Sequence, residues 1–152
     1  MAFEVLDVRL SQLSNTNTGT LQIEDTPILI GDVGLITTAA AGTAQAGDVR
    51  VWLSGTVGVS TTGEPPDILL RVERNGTDTF GSGTLIYTET VNPAVVSNLS
   101  ISVTAADFPS VTDVNANQIR YTLFISSSAA SGNTLIGPAT FNGIAAVGAG
   151  PF

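Results

Sequence analysis

The side chains of this chain that could do chemistry are carboxylates and hydroxyls, with little beside them. Of 152 residues, 13 are Asp or Glu, and none is His or Cys. All five cations are arginine: Arg9, Arg50, Arg71, Arg74 and Arg120. His is the usual general base near neutral pH and the commonest metal ligand. Without His, Cys or Lys, a Ser or Thr nucleophile has no ordinary partner to activate it. Paired carboxylates remain, but the adjacent Glu24 and Asp25 would face opposite ways on a strand. No catalytic residue is expected, and the chain reads as a non-enzyme. Asp113-Val114-Asn115-Ala116-Asn117 imitates the opening of a calcium loop. The imitation fails at the sixth position, where Gln118 replaces the turn glycine, and at the twelfth, where Phe124 replaces the bidentate glutamate. An Asn-rich hairpin loop is the expected reading, with no metal and no cofactor.

Two further features carry weaker chemistry. Asn75-Gly76-Thr77 and Asn98-Leu99-Ser100 match the glycosylation pattern, which arises readily in a Ser/Thr-rich chain. Trp52 and Arg50 share the side opposite Val51. An exposed Trp52 would be a sugar platform or an interface anchor, and a covered one a core residue.

Composition bounds the partners. Hydrophobic residues make up 43% of the chain, enough to exclude disorder and fill one core. Charged residues make up 12%, about half of ordinary usage. The net charge of −8 removes nucleic acid and anionic membrane from the expected partners, since both need a cationic face. A polar surface with few long charged side chains packs against copies of itself with little repulsion and little rotamer entropy to freeze. No apolar run approaches the ~18 residues of a membrane helix. Glu4 and Asp7 interrupt any apolar stretch of a signal peptide, so synthesis in the cytoplasm without a leader is expected.

These residues must be positioned by strands, because period two dominates the chain. Residues 49–60 alternate Val49, Val51, Leu53, Val57 and Val59 with Arg50, Trp52, Ser54, Thr56 and Gly58, with a bulge expected near Gly55 or Gly58. Further strands are expected at 67–75, 84–91, 99–104 and 118–126, and weaker ones at 20–24, 27–31, 33–38 and 138–147. Asn75-Gly76 and Asn142-Gly143 read as turn or bulge signals, Ser126 to Asn133 as a loop, and residues 105–110 as one helical turn. Nine or ten strands suit two packed antiparallel sheets, and a jelly-roll sandwich fits their number and long connections.

The N-terminus raises the question of assembly. In residues 3–10, Phe3 and Val5 share a side. Val8 and Leu10 join them if a bulge shifts the register near Leu6 and Asp7. Ser14, Asn15, Thr16, Asn17, Thr18 and Gly19 follow, with no Pro to stiffen them and nothing apolar to dock them. Either residues 3–10 are the first strand of the sandwich, or they are a connector that completes the open sheet edge of a neighbouring copy. The flexible stretch favours the second reading. Residues 1–18 are then an arm and tether, and 19–152 the jelly-roll domain. Phe3, Val5, Leu6, Val8 and Leu10 form the connector, and residues 14–19 the hinge. Such a strand adds about five main-chain bonds of roughly 1 kcal/mol each. The contact is head-to-tail and does not close, which builds a filament or layer. The closing stretch, rich in Gly and Ala, reads as a tail that is disordered or pressed against another chain.

GDVRVWLSGTVGV, ILLRVERNGT, IRYTLFI and IGPATFNGIAAVGAG resemble strand signatures of exosporium and endospore-appendage proteins of spore-forming Firmicutes. ATFNGIAAV also resembles the closing strand of tumour-necrosis-factor-like jelly rolls. The resemblance covers about residues 32–148. It implies a jelly-roll subunit that polymerises with itself into a fibre or coat on the spore surface, through an N-terminal connector inserted into the adjacent subunit. It also implies synthesis in the mother cell and contact with other spore-coat or exosporium proteins. The appendage subunits carry connector cysteines and this chain has none, so its joints would be non-covalent. A different class of function stays open: a trimeric tumour-necrosis-factor-like or lectin-like head that meets a receptor or sugar through exposed Trp52, Tyr87 or Tyr121.

Overall fold

A computed structural model of the chain describes residues 3–93 and 98–148. Nine strands and two short helical turns are found there: β1 (Glu4–Ser14), β2 (Leu21–Ile23), β3 (Ile28–Ile36), a 3-10 turn (Ala46–Asp48), β4 (Val49–Thr61), β5 (Ile68–Arg74), β6 (Thr84–Val91), β7 (Asn98–Asp107), α1 (Val111–Asn115), β8 (Gln118–Ser127) and β9 (Asn133–Val147). They form two antiparallel sheets, ordered β1-β9-β4-β7 and β3-β8-β5-β6, with β2 also on β9. From β2 onward the chain repeatedly crosses between the sheets, so sequence neighbours seldom pair. That order is a jelly roll.

The alternation read from the sequence buries the expected residues. Val49, Val51, Leu53, Val57 and Val59 of β4 face Ile68, Leu70 and Val72 of β5 and Ile119, Leu123 and Ile125 of β8 across one core. The register shift on β4 falls between Val57 and Val59, at the expected Gly58. The same alternation, with Ile119, Tyr121, Leu123 and Ile125 inward, puts Thr122 and Phe124 on the outer side of β8, yet both are fully buried. The loop after β5 folds over them, and Phe80 meets Phe124 edge-on at 5.5 Å.

Four expectations are corrected by packing. Residues 27–31 and 33–38 merge into β3, a strand through Ile36. The helical turn lies at 111–115 and not at 105–110, because Ser110 and Asp113 cap each other: the Ser110 oxygen accepts from the Asp113 N–H at 3.2 Å, and the Asp113 carboxylate accepts from the Ser110 N–H at 3.0 Å. Asn142-Gly143 is no turn but the middle of β9, where a Cβ on Gly143 would come within 3.1–3.3 Å of Leu35, Leu53 and Val33. Crowding, not backbone conformation, favours glycine there. The closing stretch is no tail as far as Val147: the strand expected at 138–147 is found, extended back to Asn133, as the central strand β9, paired on both sides. Its small residues let two neighbours and the core close around it. Residues 149–152 lie outside the described residues.

The N-terminal segment is also placed differently. In the single chain, residues 4–14 are not a detached arm but the edge strand β1 on the chain's own β9. The bulge near Leu6 is present, between Val5 and Asp7.

Candidate assembly site

β1 is amphipathic in an unusual sense. Its side toward the sandwich is largely polar. Asp7 Oδ2 accepts from the Ile36 N–H at 2.8 Å, and Ser11 Oγ accepts from the Asp32 N–H at 3.1 Å. Both donors belong to β3 of the other sheet, so β1 seals the seam with hydrogen bonds. Of its apolar residues, Leu6 packs on the core. The others lie outward: Val5 is 58% exposed, Val8 50% and Leu10 79%. Edge strands ordinarily carry the reverse pattern, apolar inward and charged outward.

The stretch between β1 and β2 is a loop over one point of β9. β1 ends opposite Ala139 and β2 begins opposite Leu135, so both run along the same side of β9. Residues 15–20 therefore lie over only residues 136–138 of β9, seven chain steps against four. Ser14 Oγ donates to the Thr16 carbonyl at 2.9 Å, and the Gly19 N–H donates to the Ile136 carbonyl at 2.8 Å. Residues 15–20 are otherwise exposed. The expected hinge is thus slack chain with a turn of its own, able to straighten to about 23 Å.

β1 belongs to a larger surface. The outward positions of β4, β7 and β9 read Arg50, Trp52, Ser54, Thr56; Ser100, Ser102, Thr104, Ala106; and Thr140, Asn142, Ile144, Ala146. Arg50 is the one charge among them, and its guanidinium lies 4.5 Å from the Phe108 ring. Trp52 is 55% exposed and Phe108 59%. With Ile144, Ala106 and Ala146 they line a shallow apolar hollow. The outer face of the other sheet is different. Asp32, Asp78 and Arg120 are ion-paired there, and Arg71 stacks on Phe80 at 4.0 Å.

The remaining candidates are spent inside the fold. Tyr121, which the binding-head alternative needs exposed, is fully buried and donates to Asp107 Oδ2 at 2.7 Å. Burial, and then the Asp107 charge, push its hydroxyl far above the usual range. Tyr87 is half-buried and donates to Glu89 Oε2 at 2.6 Å, and burial with the Glu89 bond pushes it up to about 12. Trp52 alone of the three is open, and its surroundings lack the polar groups that orient a sugar. Asn75 is occupied on both sides of its amide, donating to Asp113 at 3.0 Å and accepting from the Arg120 N–H at 3.2 Å. Asp113, from the calcium-like stretch, is used by the Ser110 cap and by Arg74 at 3.4 Å. Among the described residues no three His, Cys, Asp or Glu side chains gather as metal ligands.

The carboxylates at the seam make stability depend on acid. Burial works to raise Asp7, but the Arg9 side chain and the Ile36 N–H outweigh it and hold Asp7 below the usual carboxylate range. Burial works likewise on Asp113, and the Ser110 bonds and Arg74 charge outweigh it. A carboxyl with a depressed folded value stabilises fully above its unfolded value. That stability is lost as pH falls below about 4 and through the depressed value. Thermal melts across this range should show a steep loss in the native protein and a shallower one in the Asp7→Asn/Asp113→Asn double variant. Equal slopes would contradict these assignments.

No helix among the described residues is long and apolar enough to cross a membrane. No protein-family model and no curated protein matches the chain. Among solved structures it is similar to a chain of infectious bursal disease virus, Gx strain, with 10% identity over 97% of this chain and 33% of that one, TM-score 0.46. It is also similar to Eiger TNF of S. frugiperda, with 14% identity over 68% and 62%, TM-score 0.41. A third is a chain of the disulfide-linked pili of Bacillus endospore appendages, with 15% identity over 98% and 90%, TM-score 0.34. The chain spans about a third of the length of the viral chain it matches. At these identities and scores no function passes from them to this protein.

Proposed function

We propose that this protein is a non-enzymatic structural subunit that assembles with copies of itself, head to tail, into a fibre or coat on a spore or other cell surface. β1 of one copy leaves its own β9 and takes the same place on β9 of the next. The single observation behind this reading is that β1 is an edge strand, paired only with β9 and joined to β2 by the exposed residues 15–20. The slack of residues 15–20 supplies the hinge. The endospore-appendage resemblance of the strand signatures is in keeping with the location.

Exchange alters the energetics expected from the sequence. Each β1–β9 bond given up at home is replaced by an identical one next door, so the bonds themselves add nothing net. Exchange of this kind is a low-cost route between copies. The net gain comes from contacts that only a second copy supplies, together with the relaxed loop.

Deleting residues 1–12 tests the proposal. Circular dichroism should still report the β-sandwich, and negative-stain microscopy of concentrated protein should show no filaments. Filaments of normal abundance after the deletion would falsify strand exchange.

A further inference from the structure

We propose that the outer face of the β1-β9-β4-β7 sheet is a second contact between copies, each copy laying this face against the same face of another. Trp52 and Phe108 are its anchors, with Val8, Leu10, Ile144 and Ala146 around them. The face is complete in the single chain, so the inference rests on no strand exchange. β1 supplies Val8 and Leu10 whichever copy it comes from.

Charge selects the occupant. The protein carries −8 overall, so two copies repel through most of their surfaces. The outward positions of β4, β7 and β9 on this face hold no carboxylate, and their one cation, Arg50, lies over the Phe108 ring. Here copies meet without like-charge repulsion. The alternatives lack what they need. Nucleic acid and anionic lipid require rows of cations. A sugar requires converging polar groups, and the hollow beside Trp52 has almost none.

Size and shape agree. Four strands about 4.8 Å apart and ten residues long cover roughly 600 Å² per copy. Two such faces bury about 1,200 Å², the lower end of specific interfaces. Ala106, Ala146, Ser54 and Ser102 are short, and stacked sheets approach to about 10 Å only where side chains are small or interlock. The opposite sheet is different: the loop bearing Phe80 covers Phe124 and Arg71, and Asp32, Asp78 and Arg120 add charge there.

Trp52 is the sole tryptophan, so its fluorescence reports this face alone. The full-length protein should be titrated in concentration with emission and sedimentation velocity read together. Emission should move to shorter wavelength as the mass rises. Trp52→Lys and Ile144→Lys should each weaken association by about tenfold or more, as loss of an interface anchor does. Leu85→Lys, an exposed apolar position on β6 of the other sheet, should associate like the native protein. Mass that rises while Trp52 emission stays fixed would overturn this face and leave strand exchange standing. Native protein that stays monomeric at every concentration overturns both. A shift seen only when another protein is added, without self-association, overturns the choice of a second copy.

Discussion

Replacing Asp107 by Ala should lower unfolding free energy by about 3–5 kcal/mol, as removing one partner of a buried ion pair does. Asp107 ends β7 and is nearly buried. Its two oxygens accept from Arg74 Nη1 at 2.8 Å each, and Oδ2 also accepts from the Tyr121 hydroxyl. Arg74 closes β5, Tyr121 lies in β8, and Arg74 reaches on to Asp113 in α1 at 3.4 Å. One carboxylate therefore ties the end of β7 to two strands of the opposite sheet and to the helical turn. Burial works against the Arg74 charge, but the Asp107 bond outweighs it and keeps the guanidinium more firmly protonated than usual. Alanine leaves a largely buried cation and a fully buried hydroxyl without their acceptor.

Graded variants separate the contributions. Tyr121→Phe removes one donor and leaves the ion pair intact, so it should cost only about 0.5–1.5 kcal/mol. For a chain of this size, loss of the carboxylate should lower Tm by roughly 6–20 °C. Urea melts of the three proteins give the values directly. An Asp107→Ala cost below that of Tyr121→Phe would mean that Arg74 finds another partner and that this cluster does not fasten the sheets.

The core was legible in the sequence because it obeys a simple period. Val49 to Val59 and Ile68 to Val72 alternate, and the period puts their apolar sides in the core; on β8 it places Ile119, Leu123 and Ile125 there too, though the other side is covered as well. What escaped was set by distant partners. Gly143 reads as a turn until Leu35, Leu53 and Val33 are seen crowding it. Phe124 reads as an outward residue until the loop carrying Phe80 covers it. Asp113 reads as part of an Asn-rich hairpin loop until Ser110 and Arg74 are seen at its oxygens, where it caps α1 instead. The period puts Tyr121 on the inner side of β8, but nothing in it shows that Asp107 accepts from its hydroxyl.

At the candidate site the legible part was the bulge at Leu6 and the softness of residues 14–19. The polar inner side of β1 was not, since Asp7 and Ser11 find their donors on β3, more than 20 residues away. Nor was the neutrality of the outer sheet face. That emerges only when β4, β7 and β9 are set side by side, far apart as they are in the chain.

Strand exchange is the claim on which the assembly account depends, and a disulfide trap reads it most directly. The chain has no cysteine, so every bridge formed is one that is placed. Glu4 lies opposite Val147 on β9. Opposed residues of antiparallel strands have Cα atoms about 4.5–5.5 Å apart, within disulfide range. Val147 points into the sandwich, beyond the reach of any face-to-face contact. The Glu4→Cys/Val147→Cys double variant, assembled, oxidised and run on a denaturing non-reducing gel, should give a ladder of covalent multimers. A single band of internally bridged monomer from protein that has formed filaments would contradict the account.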